Sequence, residues 1–299
     1  MFNLRIDRGI SLYLGRPFSQ GRNGWQLGRI PILMYHSISE GVSHRRAYYE
    51  TNTSPKVFEE QMRFLCENGY CSITLGAAVK LIDACKDNQK TVVITFDDGY
   101  RDFYTAACPL LSKYGFSATV FVVTGLVGGA KAQFNGKDCM SWTEMREMRS
   151  HGIEIGSHTV THPELESMEP AAIEHEISQS KRAIEDQIGG PVRSFAYPYA
   201  FPEMNSALTS FLARTLEEHG YENGVTTILG TAHLGCNRFF LPRLPINTWD
   251  DPRLFQAKME GGYDWMHIPQ SAYKKARSHA VGILTSIRGK RVTAGGLGS

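Results

Sequence analysis

The chain has 299 residues, 42% of them hydrophobic, which is enough to bury the core of one large α/β domain or of two smaller ones. Its 32 Lys and Arg side chains nearly balance 30 Asp and Glu side chains, so charge gives no reason to expect a nucleic-acid partner. The six cysteines are scattered without a Cys-x-x-Cys pair, which favours buried, reduced thiols over a disulfide framework.

The N-terminal segment breaks its apolar residues with charges and shows neither an apolar signal region nor a small-residue cleavage site. No run of the sequence approaches the length needed to span a bilayer. Together with the cysteine pattern, these features predict a cytoplasmic protein. Residues 1–29 are rich in Gly and Arg with weak periodicity, which predicts a loosely structured lead-in segment.

From residue 30 onward, short apolar runs alternate with amphipathic ones. The first apolar run is a predicted strand that ends in a histidine, His36. The first amphipathic segment is a predicted helix that begins at Ser54-Pro55, with Ser54 as the cap and Pro55 at the first helical position. This alternation predicts a parallel sheet or an incomplete barrel over residues 30–268. Further helices are predicted at 74–85, 104–111, from 141, at 170–188 and 205–219, and further strands at 91–96, 117–123, 153–158, 194–197, 224–227 and 243–246, with a Gly-rich loop at 125–136.

The composition changes at the C-terminus, where residues 269–299 form a basic tail. Residues 272–291 hold several Lys and Arg side chains and no acidic one. They predict a basic amphipathic helix followed by a frayed Gly-rich end. A solvated terminal helix is the plainer interpretation, and peripheral contact with a membrane surface is the alternative.

Two adjacent carboxylates end the most apolar run of the chain. Residues 91–96 are rich in β-branched side chains, and Asp97, Asp98 and Gly99 follow them directly. The pattern predicts a buried parallel strand whose C-terminal end carries both carboxylates, where open sheets and barrels keep their sites. Because neighbouring carboxylates repel each other, a cation or a shared proton is expected beside them.

A second signal is a pair of histidines four residues apart, His158 and His162. Pro163 and the preceding strand favour a strand-to-loop geometry over a helix. With Asp98 these histidines supply two nitrogens and one oxygen, a set that suits a catalytic zinc with an open position for water. The sequence therefore predicts a divalent metal, with zinc favoured and other divalent transition metals left open; ordinary polar surface is the alternative.

These motifs resemble those of a known family. Residues 95–99 (Thr-Phe-Asp-Asp-Gly) and 157–163 (Ser-His-Thr-Val-Thr-His-Pro) are similar to the first two motifs of the polysaccharide deacetylases, carbohydrate esterase family four. The likeness runs over residues 30–254. It implies a distorted (β/α) barrel of about seven parallel strands, with Asp97 as general base and Asp98, His158 and His162 as metal ligands. The third motif, residues 195–199, implies that the Tyr199 N–H stabilises the oxyanion.

Two departures from the family pattern matter. Ala196 stands where the third motif commonly has an arginine that orients the base, and the late Leu-x-x-His motif that supplies the acid is absent. Arg243 resembles the later-placed arginine of a subgroup typified by poly-N-acetylglucosamine deacetylases, and it is predicted to orient Asp97; a surface arginine is the alternative. His36 resembles a first-strand histidine of that subgroup and is predicted to protonate the leaving amine, with a core histidine as the alternative.

Together these features predict a metal-dependent hydrolase that removes N-acetyl groups from an amino sugar in a polysaccharide or glycan precursor. Asp97 takes a proton from metal-activated water, and His36 is the candidate acid. Two alternatives stay open. One is a deformylase, or another C–N hydrolase, acting on a lipid-linked sugar or a small cyclic amide; the other is a carbohydrate-binding pseudoenzyme.

Overall fold

The computed structural model describes residues 5–17, 28–41, 50–84, 90–128 and 133–276. Seven short and mostly buried strands form the barrel, and three of them, Ile32–Tyr35, Thr91–Phe96 and Thr119–Val122, come from apolar runs with β-branched or aromatic residues. The strands are β1 Ile32–Tyr35, β2 Thr91–Phe96, β3 Thr119–Val122, β4 Glu154–Ser157, β5 Ser194–Ala196, β6 Asn223–Leu229 and β7 Leu241–Pro245.

These strands close into a barrel. Their order is β1-β7-β6-β5-β4-β3-β2, and β1 also pairs with β2. All seven pairings are parallel. A further two-residue strand, Cys71–Ser72, pairs with Thr91 and Val92 at the start of β2. The register between β6 and β7 shifts between Val225 and Leu229, so the barrel is distorted on that side. The predicted distorted (β/α) barrel of about seven parallel strands is confirmed.

Helices cover the barrel, and local sequence sets their ends. Ser54 caps one helix by accepting from the Val57 N–H, and Ser141 forms a capping box with Glu144. Gly189 ends the longest helix with a left-handed φ of 67°. The helices are α1 Ile6–Ile10, α2 Pro55–Glu67, α3 Leu75–Asp83, α4 Cys108–Tyr114, α5 Trp142–Ser150, α6 Pro170–Ile188, α7 Ser206–Glu218 and α8 Pro252–Met259.

The alternation of side chains along β2 positions the site. Val92, Ile94 and Phe96 join the large cluster formed with the surrounding helices, whereas Val93 belongs to a second cluster with side chains from β3, β5, β6 and β7. Because strand side chains alternate, Asp97 shares the face of Val93 and points into the barrel. The same backbone geometry that buries the apolar run therefore carries a carboxylate into the barrel interior.

Two small elements flank the opening of the barrel. Ser37–Ile38 pairs with Asn52–Thr53, directly after β1. Gln133–Phe134 and Lys137–Asp138 form an antiparallel hairpin where a Gly-rich loop was predicted. Residues 129–132 of that predicted loop lie outside the described residues.

The N-terminal segment differs from its prediction. Within the predicted lead-in of residues 1–29, Ile6–Ile10 form α1 and Ser11–Gly15 continue as a π-helical turn. Arg5 pairs with Asp250 at 3.2 Å, and Arg8 pairs with Asp251 at 2.5 Å. The charges that break the apolar pattern thus hold this segment against the residues that follow β7, so the description as loosely structured is wrong for residues 5–17.

The C-terminal tail and the thiols are described only in part. Residues 267–276 are helical, and the rest of the basic tail lies outside the described residues. Among the described helices, none is at once long enough and apolar enough to cross a bilayer. Five described cysteines are free, but Cys66 and Cys71 are exposed, so the prediction of buried thiols is wrong for these two.

Candidate active site

The end of β2 places two consecutive carboxylates at the opening of the barrel. The N–H of Asp97 still donates to the Tyr35 carbonyl at 3.0 Å, which continues the ladder with β1. Asp98 then turns to a left-handed φ of 73°, and Gly99 follows at 69°. A Cβ on Gly99 would lie 3.0 Å from Val122 Cγ1, so both the backbone angle and the space require glycine there. This break in the strand lets neighbouring carboxylates serve different partners.

Asp98 and the two predicted histidines converge. Asp98 Oδ1 lies 3.6 Å from His158 Nε2 and 3.5 Å from His162 Nε2. One ligand atom from each of the three residues lies within 4.8 Å of the others. His158 Nδ1 lies 2.8 Å from the Ala196 carbonyl, so Nδ1 carries a proton and Nε2 faces Asp98.

The electrostatics of this cluster suit a cation. Burial, reinforced by the charge of His158, lowers the pKa of His162 to about 4, so at neutral pH its ring can offer a lone pair. Burial also disfavours the charged form of His158, but the nearby carboxylates of Asp98 and Asp97 outweigh it and raise the pKa of His158. The negative charge of the carboxylates is therefore balanced by a proton on His158 or, in its place, by a divalent cation. The donor set and its charge fit a metal of the zinc type.

The loop that carries His162 is held by a residue that the sequence analysis missed. Thr159 and His162 adopt left-handed φ angles of 70° and 57°, which side chains rarely take without support. Glu176, buried on α6, accepts from the N–H groups of Val160 at 2.7 Å and Thr161 at 2.9 Å. It also accepts from the Thr161 hydroxyl at 2.8 Å. Helix α6 thereby fixes the loop between the two histidines.

Arg243 reaches Asp97 from β7 inside the barrel. Its Nη1 and Nη2 donate to Oδ1 and Oδ2 of Asp97, each at 2.7 Å. Its Nε donates to the Thr226 carbonyl at 2.9 Å, and Nη1 also donates to Thr95 Oγ1 at 3.1 Å. Arg243 is 0% exposed, so the alternative of a surface arginine is wrong. Burial alone would raise the pKa of Asp97, but the Arg243 charge, followed by that of His158, holds it well below the usual range.

The structure also brings His36 and Tyr199 to the site. His36 follows β1, and its Nε2 lies 4.0 Å from Asp97 Oδ2, beyond hydrogen-bond distance, with 20% of the side chain exposed. Tyr199 has a left-handed φ of 55° and is 54% exposed. Its ring packs on that of His162, with the centroids 4.6 Å apart. All seven residues named from the sequence therefore lie in one region, around the end of β2.

The hairpin of residues 133–138 adds side chains that the sequence analysis did not name. The Phe134 ring lies 4.9 Å from the His162 ring and stacks on Tyr100 at 6.2 Å. Lys137 Nζ donates to Ser39 Oγ at 2.9 Å and to Asn52 Oδ1 at 3.1 Å. The hairpin is thus anchored across the opening of the barrel. A single aromatic residue within a Gly-rich stretch was the signal that could have pointed to it.

Comparisons with known proteins agree with this fold. A sequence model of the polysaccharide deacetylase family matches residues 84–223. The chain is 34% identical over 233 residues to a Bacillus subtilis (strain 168) protein named polysaccharide deacetylase YxkH. The match covers 78% of this chain and 76% of the relative. It is 26% identical over 208 residues to a Staphylococcus aureus (strain MSSA476) poly-β-1,6-N-acetyl-D-glucosamine N-deacetylase, covering 66% of this chain and 68% of the relative.

One solved structure extends the likeness to three dimensions. The Streptococcus pyogenes deacetylase PplD, solved in complex with acetate, superposes with a TM-score of 0.67 at 29% identity. The match covers 77% of this chain and 98% of that one. The closed parallel barrel with an Asp-His-His cluster at the strand ends agrees with this likeness. The chain belongs to the polysaccharide deacetylase family, as the sequence motifs predicted.

Proposed function

We propose that this protein is a divalent-metal-dependent hydrolase that cleaves the N-acetyl amide of an amino sugar in a polysaccharide or glycan precursor. The observation that carries the proposal is that the two carboxylates at the end of β2 have different partners. Asp98 faces two histidines, while Asp97 is committed to Arg243. The name of the Staphylococcus aureus relative supports an N-acetylated glucosamine polymer as the substrate class, and the acetate held by PplD fits the expected product.

Asp98, His158 and His162 would hold the cation, for which we propose zinc. When bound, such an ion acidifies a water molecule and polarises the acetyl carbonyl. Two imidazoles and one carboxylate also accept other divalent transition metals, so metal identity has to be measured. Glu176 keeps the His162 loop in place through its three hydrogen bonds.

Asp97 accepts the proton of the attacking water in this proposal. Because Arg243 keeps its pKa low, the carboxylate stays ionised even in moderately acidic solution. The same interaction makes Asp97 a weak base, so proton transfer depends on a water that is itself acidified. The bidentate contact also fixes the direction of the Asp97 oxygens, which leaves the carboxylate little freedom to turn away from the substrate.

His36 and Tyr199 complete the proposed chemistry. His36, at the opening of the barrel beside Asp97, gives a proton to the departing amine, which would otherwise be a poor leaving group. The Tyr199 N–H donates to the oxygen that becomes negative as the carbonyl is attacked. Its left-handed backbone supports that role by turning the chain beside His162.

The direct test is product analysis. Zinc-reconstituted protein is incubated with chitooligosaccharides, with β-1,6-linked N-acetylglucosamine oligomers and with lipid-linked sugar precursors. Acetate release is measured together with the mass of the product, and the chelated protein is the control. Release of formate would favour the deformylase alternative. Saccharide binding without any acyl release would favour the pseudoenzyme.

Location and further partners stay predictions. The near-neutral composition argues against a nucleic-acid partner. The cytoplasmic location and the membrane contact of the basic tail are proposals that rest on sequence alone. Vesicle co-sedimentation of the protein with and without residues 270–299 checks the second, and equal pelleting would contradict it.

A further inference from the structure

A second cavity lies outside the barrel, away from the Asp98 cluster. It has a volume of about 480 Å³, which is within the usual range for small-molecule sites. The end of β6, the start of β7 and the segment around Trp265 enclose it. Ile228, Phe240, Pro242 and Ile268 give it an apolar wall, and His233 and Cys236 also line it.

Cys236 and His233 form a close pair at this cavity. Cys236 Sγ lies 3.4 Å from His233 Nδ1 and 4.0 Å from Nε2. The Cys236 N–H donates to the His233 carbonyl at 3.1 Å, so a backbone turn sets the spacing. His233 Nδ1 also lies 3.0 Å from the Thr231 carbonyl, which places the ring proton on Nδ1, facing both the carbonyl and the sulfur.

The charges around the sulfur favour a thiolate. Burial would raise the pKa of Cys236, but the hydrogen bonds from His233 and its charge, with that of Arg29, outweigh it and lower the pKa. The contact with Cys236 in turn raises the pKa of His233. Arg29 is itself paired with Asp264 at 2.5 Å, and Asp264 and His267 complete the ionisable groups of the cavity wall. A thiol beside a histidine that stabilises its ionised form is typical of reactive cysteines.

We propose that Cys236 is a thiol-exchange site that reacts with low-molecular-weight disulfides whose apolar group occupies the cavity. The Cys236 sulfur attacks one sulfur of the disulfide, forming a new S–S bond as the old one breaks. His233 gives its proton to the departing thiolate, so one thiol and one disulfide yield one mixed disulfide and one free thiol. This step needs no metal and is independent of the proposed deacetylation.

The other cysteines provide an internal comparison. Cys66 and Cys71 are exposed, whereas Cys236 is only partly so, and accessibility alone would therefore favour Cys66 and Cys71. The full-length protein is treated at neutral pH with limiting dipyridyl disulfide, and peptide mass spectrometry follows each site. Because the His233 imidazole lies 3.4 Å from the Cys236 sulfur and the apolar cavity can hold the pyridyl group, we expect Cys236 to react about fivefold faster than Cys66 or Cys71.

Two controls distinguish the effect of the Cys236–His233 pair from the effect of the cavity. His233→Asn should remove the excess rate at Cys236 while labelling of Cys66 and Cys71 stays unchanged, and an unchanged circular dichroism spectrum reports that the fold is intact. A polymer-linked pyridyl disulfide, too bulky for the cavity, should lose its preference for Cys236. Faster labelling of Cys66 and Cys71 by the small reagent, or an unaltered rate in His233→Asn, would overturn the proposal.

Discussion

Arg243 and Asp97 stand 146 positions apart in the chain and are joined inside the barrel by two parallel hydrogen bonds, both buried. The guanidinium comes from β7, although the family pattern places the corresponding arginine at position 196. Ala196 packs in the inner apolar cluster and is fully buried. The barrel thus reaches the same carboxylate from a different strand.

Arg243→Met tests what this pair does. Removing one partner of a buried ion pair leaves an uncompensated charge, and we expect the free energy of unfolding at neutral pH to fall by about 3–5 kcal/mol. The pKa of Asp97 is lower in the folded protein than in the unfolded chain. This difference stabilises the fold at pH values above the unfolded pKa, and the stabilisation is lost as the pH falls through the folded pKa. Without Arg243 that pKa rises, so the acidic limb of kcat/KM should move to higher pH. Urea unfolding and a pH–rate profile measure both effects, with metal content followed at each pH.

The matched control is Arg193→Met. Arg193 pairs with Glu222 at 2.8 Å on the surface, where both side chains are more than half exposed. Exposed pairs contribute at most about 1 kcal/mol, so its unfolding and pH profile should stay close to those of the wild type. Similar behaviour of the two variants would contradict the role assigned to Arg243.

Glu176→Ala tests the support of the His162 loop. The substitution removes three hydrogen bonds that hold Val160 and Thr161. We expect zinc affinity to fall by about 10- to 100-fold, because removing a residue that orients metal ligands typically lowers metal affinity by that factor. Glu176→Gln, which keeps one acceptor oxygen, should lie in between. Calorimetric zinc titration measures the effect. Glu174→Ala, an exposed site on the same helix, is the control, and equal affinities in all variants would remove Glu176 from this role.

Different assays should distinguish the proposed base, Asp97, from the proposed metal ligand His158. Asp97→Asn should retain wild-type zinc stoichiometry by elemental analysis, while kcat falls by about 10²- to 10⁴-fold through loss of the base. His158→Ala should lower the stoichiometry itself, because one of the three ligands is gone. Retained turnover in Asp97→Asn would eliminate Asp97 as the base. Unchanged metal content in His158→Ala would refute the ligand assignment.

His36→Ala tests the candidate acid. Loss of a proton donor to the amine should lower kcat by about 10²-fold with little change in KM and should alter the basic limb of the pH–rate profile. A substrate with a less basic leaving amine should recover part of the rate, because it needs less help to depart. An unaltered profile together with no such recovery would point to another acid.

Local pattern allowed much of this structure to be predicted. Short apolar runs predicted the strands, caps and glycines predicted the helix ends, and the positions of Asp98, His158 and His162 predicted the Asp-His-His cluster. Glu176 could not be found this way, because on the sequence it is one more polar residue of a long amphipathic helix. Its partners lie 15 and 16 residues earlier in a loop whose path only the fold determines.

The N-terminal segment was missed for a related reason. Arg5 and Arg8 find their partners about 240 residues later, at Asp250 and Asp251. Side chains whose partners lie so far along the chain leave no periodic signal, and they resemble the solvated charges of a disordered lead-in. The closure of the barrel by β1 and β2 is equally non-local, and it followed from family resemblance rather than from periodicity.

That closure has a practical consequence. In the ladder between β1 and β2, Tyr35 is the register partner of Phe96, so His36 and Asp97 are the next residues on two paired strands. The spacing between candidate acid and base is therefore set by main-chain pairing in the barrel wall, whereas Phe134 and Tyr199 sit on connections outside it. Exchanging the 133–138 hairpin for that of a relative should change the KM values for different substrates without altering the pH–rate profile. The barrel would then keep the acid–base spacing constant while the hairpin is varied to engineer new substrate specificity.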